Sequence, residues 1–195
     1  MSRRHAHGRG GRNRLRIIGG QWRGRRLEFP DAPGLRPTPD RVRETLFNWL
    51  QTEIDGARCL DLFAGSGALG LEALSRGADR CIFVEEHRAA CEAIEGHLRA
   101  LRCDDARVVQ MPVQSFLSRG PGSARYDVVF LDPPFGQGLI GESIQLLTAK
   151  DWLASGARIY LESESQLRQL PLPADWRLLK EKTSGQVTYR LAGRD

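Results

Sequence analysis

Long hydrophobic segments are missing from this sequence of 195 residues. No apolar run reaches the roughly 18 residues that a membrane-spanning helix needs. The first sixteen residues, MSRRHAHGRGGRNRLR, are basic but no apolar stretch follows them, so they do not have the pattern of a secretory signal. We therefore expect a cytoplasmic protein.

Cysteine pairs at metal-binding spacing are absent as well. The four cysteines form no C-x-x-C pair, and none lies near a histidine at metal-ligand spacing. Cys59 and Cys81 fall in apolar stretches, where a free thiol behaves as a small hydrophobic side chain. The pattern predicts no metal site and fits a reducing compartment.

Lysine is scarce and does not occur before Lys150, so arginine supplies nearly all of the positive charge. Residues 1–43 hold twelve arginines and three acidic residues, a net charge of +9; since the whole chain has +5, the remainder carries −4. Arginine forks bind phosphate oxygens in a bidentate way. A basic arm on a slightly acidic body predicts nucleic-acid binding, with a solubilising disordered tail as the alternative for residues 1–14.

Periodicity predicts an α/β fold for most of the chain. The predicted strands are apolar on successive residues, which is typical of parallel strands covered on both faces. They alternate with helices, which predicts a doubly wound, mostly parallel seven-stranded sheet of the Rossmann-like type. Residues 176–191 instead predict a C-terminal antiparallel hairpin. The strands are expected at 58–63, 80–85, 106–110, 126–132 and 157–162, and the helices at 67–76, 87–101, 113–118 and 139–153.

The segment before these strands has an organisation of its own. Short apolar runs broken by glycines predict a β-hairpin over 14–30. A helix is expected to follow, with Thr38 as its N-cap and Pro39 at its first position, and to end near Asp55. The predicted organisation is a disordered basic tail (1–13), an N-terminal basic β-hairpin extension (14–37), whose charge predicts nucleic-acid binding, and an α/β domain (38–195).

A glycine-rich turn joins the first strand of the α/β domain to its helix. In DLFAGSGALGLEAL (61–74), Gly65, Gly67 and Gly70 have the spacing of a dinucleotide-binding loop, and Glu85 ends the next strand where it can accept ribose hydroxyls. A carboxylate at Asp61 suits a cationic ligand end, such as the ammonium of a methionine moiety, and would be unhelpful beside a pyrophosphate. The pattern DxFxGxG resembles the first motif of class I S-adenosylmethionine-dependent methyltransferases.

That resemblance implies S-adenosyl-L-methionine as the cofactor. Methyltransferases of this class usually place Asp or Asn after the third strand to meet the adenine amine. Here VVQMPVQSFL (108–117) offers no carboxylate, which leaves Gln110, Gln114 or the backbone near Met111 for that contact. The predicted cofactor site consists of Asp61, Phe63, Gly65, Ser66, Gly67, Gly70, Glu85, Gln114 and Asp132.

The tetrad Asp132-Pro133-Pro134-Phe135 follows the fourth strand, at the expected switch point of the sheet. It resembles the [D/N/S]-P-P-[F/Y/W] motif of methyltransferases that modify amines conjugated to a π-system. The Asp132 carboxylate and the Pro133 carbonyl would accept hydrogen bonds from the two N–H bonds of such an amine. The prolines would stiffen the loop, and Phe135 would stack on the base. These four residues are the predicted catalytic residues.

Two N-terminal stretches separate the possible substrates. RIIGGQWRGRRL (16–27) followed by GLRPTPDRVRETLFNWL (34–50) closely resembles the RsmD family, which methylates N2 of one guanine in 16S ribosomal RNA. The resemblance extends from about Arg16 to Leu191. It implies a compact enzyme that acts on the 30S subunit or its assembly intermediate. Since nothing in the sequence demands a dimer, we expect a monomer. The residues that it implies for RNA binding are Trp22, Arg23, Arg25, Arg26, Arg36, Thr38 and Arg41.

Other functions stay open at this point. An adenine-N6 methyltransferase acting on RNA or DNA would use the same tetrad, although the chain leaves no room for the separate domain that a DNA enzyme normally uses to read its site. A non-catalytic RNA-binding protein could keep the fold without the activity. An NAD-dependent oxidoreductase would need a hydride-transfer partner, and the tetrad offers none.

Overall fold

The structure is a computed structural model that describes residues 13–29 and 38–195. The predicted tail lies outside this part except for Asn13, and Arg36 lies outside it too. The described residues form nine strands and five helices. The strands are β1 (Asn13–Arg16), β2 (Arg26–Phe29), β3 (Arg58–Leu62), β4 (Arg80–Glu85), β5 (Ala106–Gln110), β6 (Tyr126–Leu131), β7 (Leu153–Glu164), β8 (Trp176–Ser184) and β9 (Val187–Arg194). The helices are α1 (Asp40–Trp49), α2 (Ala68–Ser75), α3 (Arg88–Leu101), α4 (Val113–Ser118) and α5 (Leu139–Ala149).

Seven of the strands form one sheet in the order β5-β4-β3-β6-β7-β9-β8. The pairings from β5 to β7 are parallel, whereas β9 runs antiparallel to both β7 and β8. The chain moves outward from β3 through β4 to β5 and then returns to β6 on the other side of β3. The predicted doubly wound sheet with a C-terminal antiparallel hairpin is confirmed, and its switch point lies at β3 and β6.

Three predicted boundaries are wrong, and one of them is the start of β7, since the strand expected at 157–162 begins at Leu153. The helix expected over 139–153 ends at Ala149, because Asp151 has a positive φ of 55° and turns the chain into β7. Trp152, which would have prolonged the helix, is buried in the turn and donates its Nε1–H to the Leu117 carbonyl at 3.0 Å. The helix expected to end near Asp55 stops at Trp49 and is followed by turns.

The predicted N-cap of α1 is also wrong. Pro39, not Thr38, occupies the cap position, and no side chain caps the helix. Thr38 is buried and directs its hydroxyl away from the helix, toward Asp132. Thr38 therefore does not cap α1 but joins the start of this helix to Asp132, which is distant in the sequence.

Each face of the sheet carries its own core. On one face, residues of β1, β2, α1, α2 and α3 pack against Cys59, Phe83, Phe130 and Tyr160 of the sheet. On the other face, residues of α4 and α5 pack against the alternate strand residues, together with Trp152 and Trp176. Because side chains alternate along a strand, each sheet residue can be assigned to one of these two faces.

The β1–β2 hairpin docks on the first face through a buried acid. Glu72 of α2, which is 0% exposed, accepts hydrogen bonds from the backbone N–H groups of Ile18 and Gly19 at 2.8 and 2.7 Å. The buried guanidinium of Arg43 contacts Glu72 at 3.4 Å and donates to the Arg16 carbonyl at 2.9 Å. A buried charge needs such partners, so this network fixes the hairpin and α1 on α2.

Candidate active site

The glycine loop between β3 and α2 makes two left-handed turns that glycine adopts without strain. Gly65 has φ of 54° and Gly67 has φ of 75°, and Phe63 just before them has φ of 61°. Ser66 between the two glycines is buried. The loop therefore bends sharply at the carboxyl end of β3, which leaves its backbone close to any ligand at the switch point.

Asp61, at the carboxyl end of β3, is 2% exposed and accepts a hydrogen bond from the Gly70 N–H at 2.9 Å. The pKa of Asp61 is raised to about 8, chiefly by burial; the hydrogen bond from Gly70 opposes this shift, and the negative charge of Glu85 adds to it. A cationic ligand group beside this carboxyl group would favour its ionised form. The predicted role beside an ammonium group fits this environment.

Gly70 is required for packing. The sequence pattern alone could equally have meant that a ligand approaches the backbone closely at this position. It lies inside α2, and a Cβ atom there would come within 2.3 Å of Cε1 of Phe83 and 2.8 Å of Sγ of Cys81. The missing side chain lets the helix lie directly on β4 while its N–H reaches Asp61.

Glu85, at the carboxyl end of β4, is 7% exposed. Its Oε2 accepts the Gly65 N–H at 2.8 Å, and its Oε1 accepts the His87 N–H at 2.8 Å. The neighbouring Glu86 is exposed. Glu85 is therefore the acid that the fold holds against the glycine loop, where a ribose would lie.

Gln114 at the start of α4 contains a buried polar atom without a partner. Within residues 13–29 and 38–195, its Nε2 donates no hydrogen bond although it is enclosed. Gln110 is exposed and its Nε2 donates to the Glu86 carbonyl at 3.5 Å. The Met111 N–H already donates to the Glu85 carbonyl at 3.0 Å. Buried amides normally have partners, so Gln114 is the group after β5 that is prepared for a ligand. Together with the loop and the two acids, it fits the donors and acceptors of S-adenosylmethionine.

The Asp132-Pro133-Pro134-Phe135 turn lies directly beside this site, since Leu131 and Leu62 are paired at the ends of β6 and β3. Pro133 is buried, Pro134 is exposed, and the Phe135 ring is 44% exposed. The N–H of Gly136 donates to Oε1 of Glu164 on β7. The turn is thus held at both ends while its aromatic ring remains accessible for stacking.

Asp132 is half-buried and accepts a hydrogen bond from the Thr38 hydroxyl at 3.5 Å. Desolvation raises the pKa of Asp132 well above its usual range, and the carboxylates of Glu162 and Asp61 raise it further. The hydrogen bond from Thr38 favours the ionised form but does not outweigh these effects. The acid therefore lies beside other acids, and no described residue is a basic partner for it.

Three residues of β7 complete this side of the site and were missed by sequence reasoning. Glu162 is 8% exposed and accepts a hydrogen bond from the buried Tyr160 hydroxyl at 2.6 Å. Glu164 holds the turn through Gly136. The available signal was the acidic ending of IYLESES (159–165), because parallel strands bring their carboxyl ends to one edge.

The residues predicted to bind RNA lie on and near the hairpin. Trp22 is half-buried against the core, and its backbone N–H donates to the Ser75 hydroxyl at 3.0 Å. Arg25 is exposed and touches the Ala100 carbonyl at 3.4 Å. Arg23, Arg26 and Arg41 are exposed and form no ion pair with another described residue. Arg43, in contrast, is buried and structural.

Comparison with known proteins places this arrangement in a family. A family model described as "Conserved hypothetical protein 95" matches residues 15–193. The chain belongs to this family. Ribosomal RNA small subunit methyltransferase D of Escherichia coli K12 is 52% identical over 185 residues, which are 95% of this chain and 92% of that protein. The protein of the same name from Haemophilus influenzae is 47% identical over 179 residues, 91% of this chain and 92% of that protein.

Solved structures of the family agree with the fold. The putative methyltransferase yhhF from Escherichia coli superposes with a TM-score of 0.88 at 50% identity, covering 94% of this chain and 99% of that one. The resemblance to RsmD, the Rossmann-like fold and the enzyme class, an S-adenosylmethionine-dependent methyltransferase, are confirmed. Within the described residues of this family member, no helix is long and apolar enough to cross a membrane.

Proposed function

We propose that this protein transfers a methyl group from S-adenosylmethionine to the exocyclic N2 amine of one guanine in 16S ribosomal RNA. The cytoplasmic 30S subunit or its assembly intermediate is the proposed substrate, and the enzyme acts as a monomer. One observation carries the proposal: Asp132 and the buried Pro133 end β6 directly beside Asp61 and the glycine loop. An amine acceptor and a cofactor site then lie side by side along the carboxyl ends of the parallel strands, which form the edge that carries the site.

The cofactor half of the edge consists of β3, β4 and the start of α4. Bound S-adenosylmethionine supplies an electrophilic methyl group on a positively charged sulfur. Asp61 attracts the ammonium end of the ligand, Glu85 accepts the ribose hydroxyls, and Gln114 meets the adenine. Phe63, Gly65, Ser66 and Gly67 line the turn between these groups.

The substrate half orients a weak nucleophile. The lone pair of an exocyclic base amine is delocalised into the ring, so the amine must be held with its lone pair toward the methyl group. The Asp132 carboxylate and the Pro133 carbonyl accept its two N–H bonds, and the fixed φ angles of Pro133 and Pro134 keep these acceptors in place. Phe135 stacks on the flipped base.

Charge and protons balance during the transfer. The nitrogen lone pair held by Asp132 and Pro133 would form the new N–C bond, and the cofactor, held by Asp61, Glu85 and Gln114, would take up the electron pair of the bond that breaks. Positive charge appears on nitrogen, and Asp132 stabilises it there. The methylated amine is acidic at this stage, so its proton leaves to Asp132 or to water.

The exposed arginines provide a means of binding the RNA backbone. Arg23, Arg25 and Arg26 follow one another on the hairpin, and Arg41 lies at the start of α1, three residues after Thr38. Exposed arginines of this kind bind phosphates through paired hydrogen bonds. Sequence-specific RNA enzymes usually take unpaired bases, and a splayed loop guanine fits a site at an open sheet edge.

The test is a methyl-transfer assay with nucleoside analysis. The protein and labelled S-adenosylmethionine would be incubated with 30S subunits, or assembly intermediates, from cells that lack the gene, and the nucleosides separated by mass spectrometry. We expect N2-methylguanosine at one position and none with Asp132→Ala. N6-methyladenosine instead would overturn the proposed substrate while keeping the role of the tetrad.

A further inference from the structure

Glu162 is a buried acid that none of the sequence motifs includes. Its Oε2 accepts the Tyr160 hydroxyl at 2.6 Å, and Tyr160 is fully buried. Its Oε1 has no hydrogen-bond partner among the described residues and is not fully enclosed by the protein. One oxygen of Glu162 is therefore fixed by the fold, and the other is available to a ligand.

The sheet register places this acid next to Asp132. Leu131 of β6 is paired with Leu161 of β7, so the following positions on the two strands are Asp132 and Glu162. Paired residues on neighbouring strands project to the same face, and such strands lie about 4.8 Å apart. Glu162 consequently stands beside the acceptor that holds the reacting amine, on the face that α1 covers.

Among the residues that the structure describes, no basic side chain neutralises these acids. Asp61, Asp132 and Glu162 form no ion pair with any residue in the ranges 13–29 and 38–195. Buried acids are costly unless they are paired or hydrogen-bonded. A ligand that brings hydrogen-bond donors to this edge would satisfy both Asp132 and the free oxygen of Glu162.

Guanine has such a pair of donors, since its N1–H lies directly beside its N2 amine. Adenine and cytosine each place a ring nitrogen with a lone pair beside the exocyclic amine. We propose that Glu162 selects guanine by accepting the N1–H bond while Asp132 holds the N2 amine, and that Tyr160 is the positioning residue for Glu162. A lone pair facing Glu162 would be repelled. This inference rests on the proposed function and names the residue that determines its base specificity.

The test uses RNA in which the target guanosine is replaced by 2-aminopurine. This base keeps the 2-amino group but has an unprotonated N1. The ratio of kcat/KM for guanosine over 2-aminopurine is measured for the wild type and for Glu162→Gln. Sites that hydrogen-bond a substrate reject analogues without the donor strongly, so we expect a wild-type ratio of at least about 100. In the variant the carboxamide can donate to N1, and the ratio should fall at least about tenfold.

The comparison of the two ratios isolates the contact to N1. 2-Aminopurine also lacks O6, but that loss is the same for both enzymes and cancels. Glu95→Gln makes the same chemical change at an exposed position of α3 and should keep the wild-type ratio. Tyr160→Phe should lower the ratio several-fold without weakening cofactor binding, and it gives a second measurement if Glu162→Gln folds poorly.

The outcomes separate this inference from the function on which it rests. Guanosine methylation by the wild type with an unchanged ratio in Glu162→Gln and Tyr160→Phe would overturn the inference alone. An equal loss of rate on both bases would overturn it as well, since a purely structural role predicts that result. A wild type that methylates adenosine instead of guanosine would overturn both.

Discussion

The two halves of the site edge hold their acids in different ways. On the cofactor half, Asp61 and Glu85 accept backbone N–H groups from Gly70 and Gly65. On the substrate half, the hydroxyls of Thr38 and Tyr160 are the hydrogen-bond donors to Asp132 and Glu162 within residues 13–29 and 38–195. The cofactor-half acids are thus held by main-chain groups of the glycine loop and α2. The substrate-half acids are held by side-chain hydroxyls, one from Thr38 before α1 and one from Tyr160 on the same strand as Glu162.

The largest expected effect separates chemistry from cofactor binding on the substrate half. Asp132→Ala removes the acceptor that orients the amine and stabilises its developing charge, so kcat should fall by at least about 100- to 1,000-fold. Binding of S-adenosylhomocysteine, measured by calorimetry, should change little. An equal loss of affinity and turnover would contradict the division between the two halves.

A substitution on the cofactor half should instead weaken the binding of S-adenosylmethionine. Asp61→Asn keeps an acceptor for the Gly70 N–H but removes the charge, so the affinity for S-adenosylmethionine should fall by about 10- to 100-fold. Because burial raises the pKa of Asp61 to about 8, wild-type affinity should also rise from pH 6 to pH 8 as this group ionises. The same titration on Asp61→Asn is the control, and an equally steep rise there would show that another group is responsible.

Substituting the hairpin arginines tests whether RNA affinity depends on residues outside both halves of the site. Changing Arg23, Arg25 and Arg26 to Gln should weaken RNA binding and reduce the slope of log Kd against log salt by about 2 to 3, since each phosphate contact contributes roughly 0.7 to 0.9. A variant with three exposed charges removed elsewhere, at Arg119, Lys150 and Arg177, is the matched control. Equal slopes for the two variants would show that the hairpin is not the RNA arm.

The smallest expected effect concerns the glycine that supports the cofactor half. Gly70→Ala forces a Cβ atom against Phe83 and should lower stability by about 1–3 kcal/mol in thermal denaturation. Gly96→Ala is the control, because a Cβ atom there meets only the end of the Arg99 side chain at 3.9 Å. That change should be neutral or slightly stabilising. A Gly70→Ala protein as stable as the wild type would show that the helix can shift off β4.

The same contrast explains what the sequence could predict. Asp61, Glu85 and Asp132 were identifiable because each ends a strand and belongs to a short local pattern. The burial of Glu162 depends on α1 covering that face, and no local pattern marks it. Arg43 has the sequence environment of a solvated helix start, yet the hairpin covers it and Glu72 pairs with it. Thr38 was predicted to cap a helix and was also implied for RNA binding, and its contact with Asp132 shows that it does not cap α1 but lies beside the tetrad.

A crystal structure of the complex with S-adenosylhomocysteine would test the division of the edge most directly. We predict ribose hydroxyls within hydrogen-bond distance of Glu85, about 2.5–3.2 Å, the ammonium group toward Asp61 and the sulfur facing Asp132. The free oxygen of Glu162 should remain open to the substrate side. A ligand whose adenosine lies against Asp132 and Glu162, with Glu85 making no contact, would contradict the account.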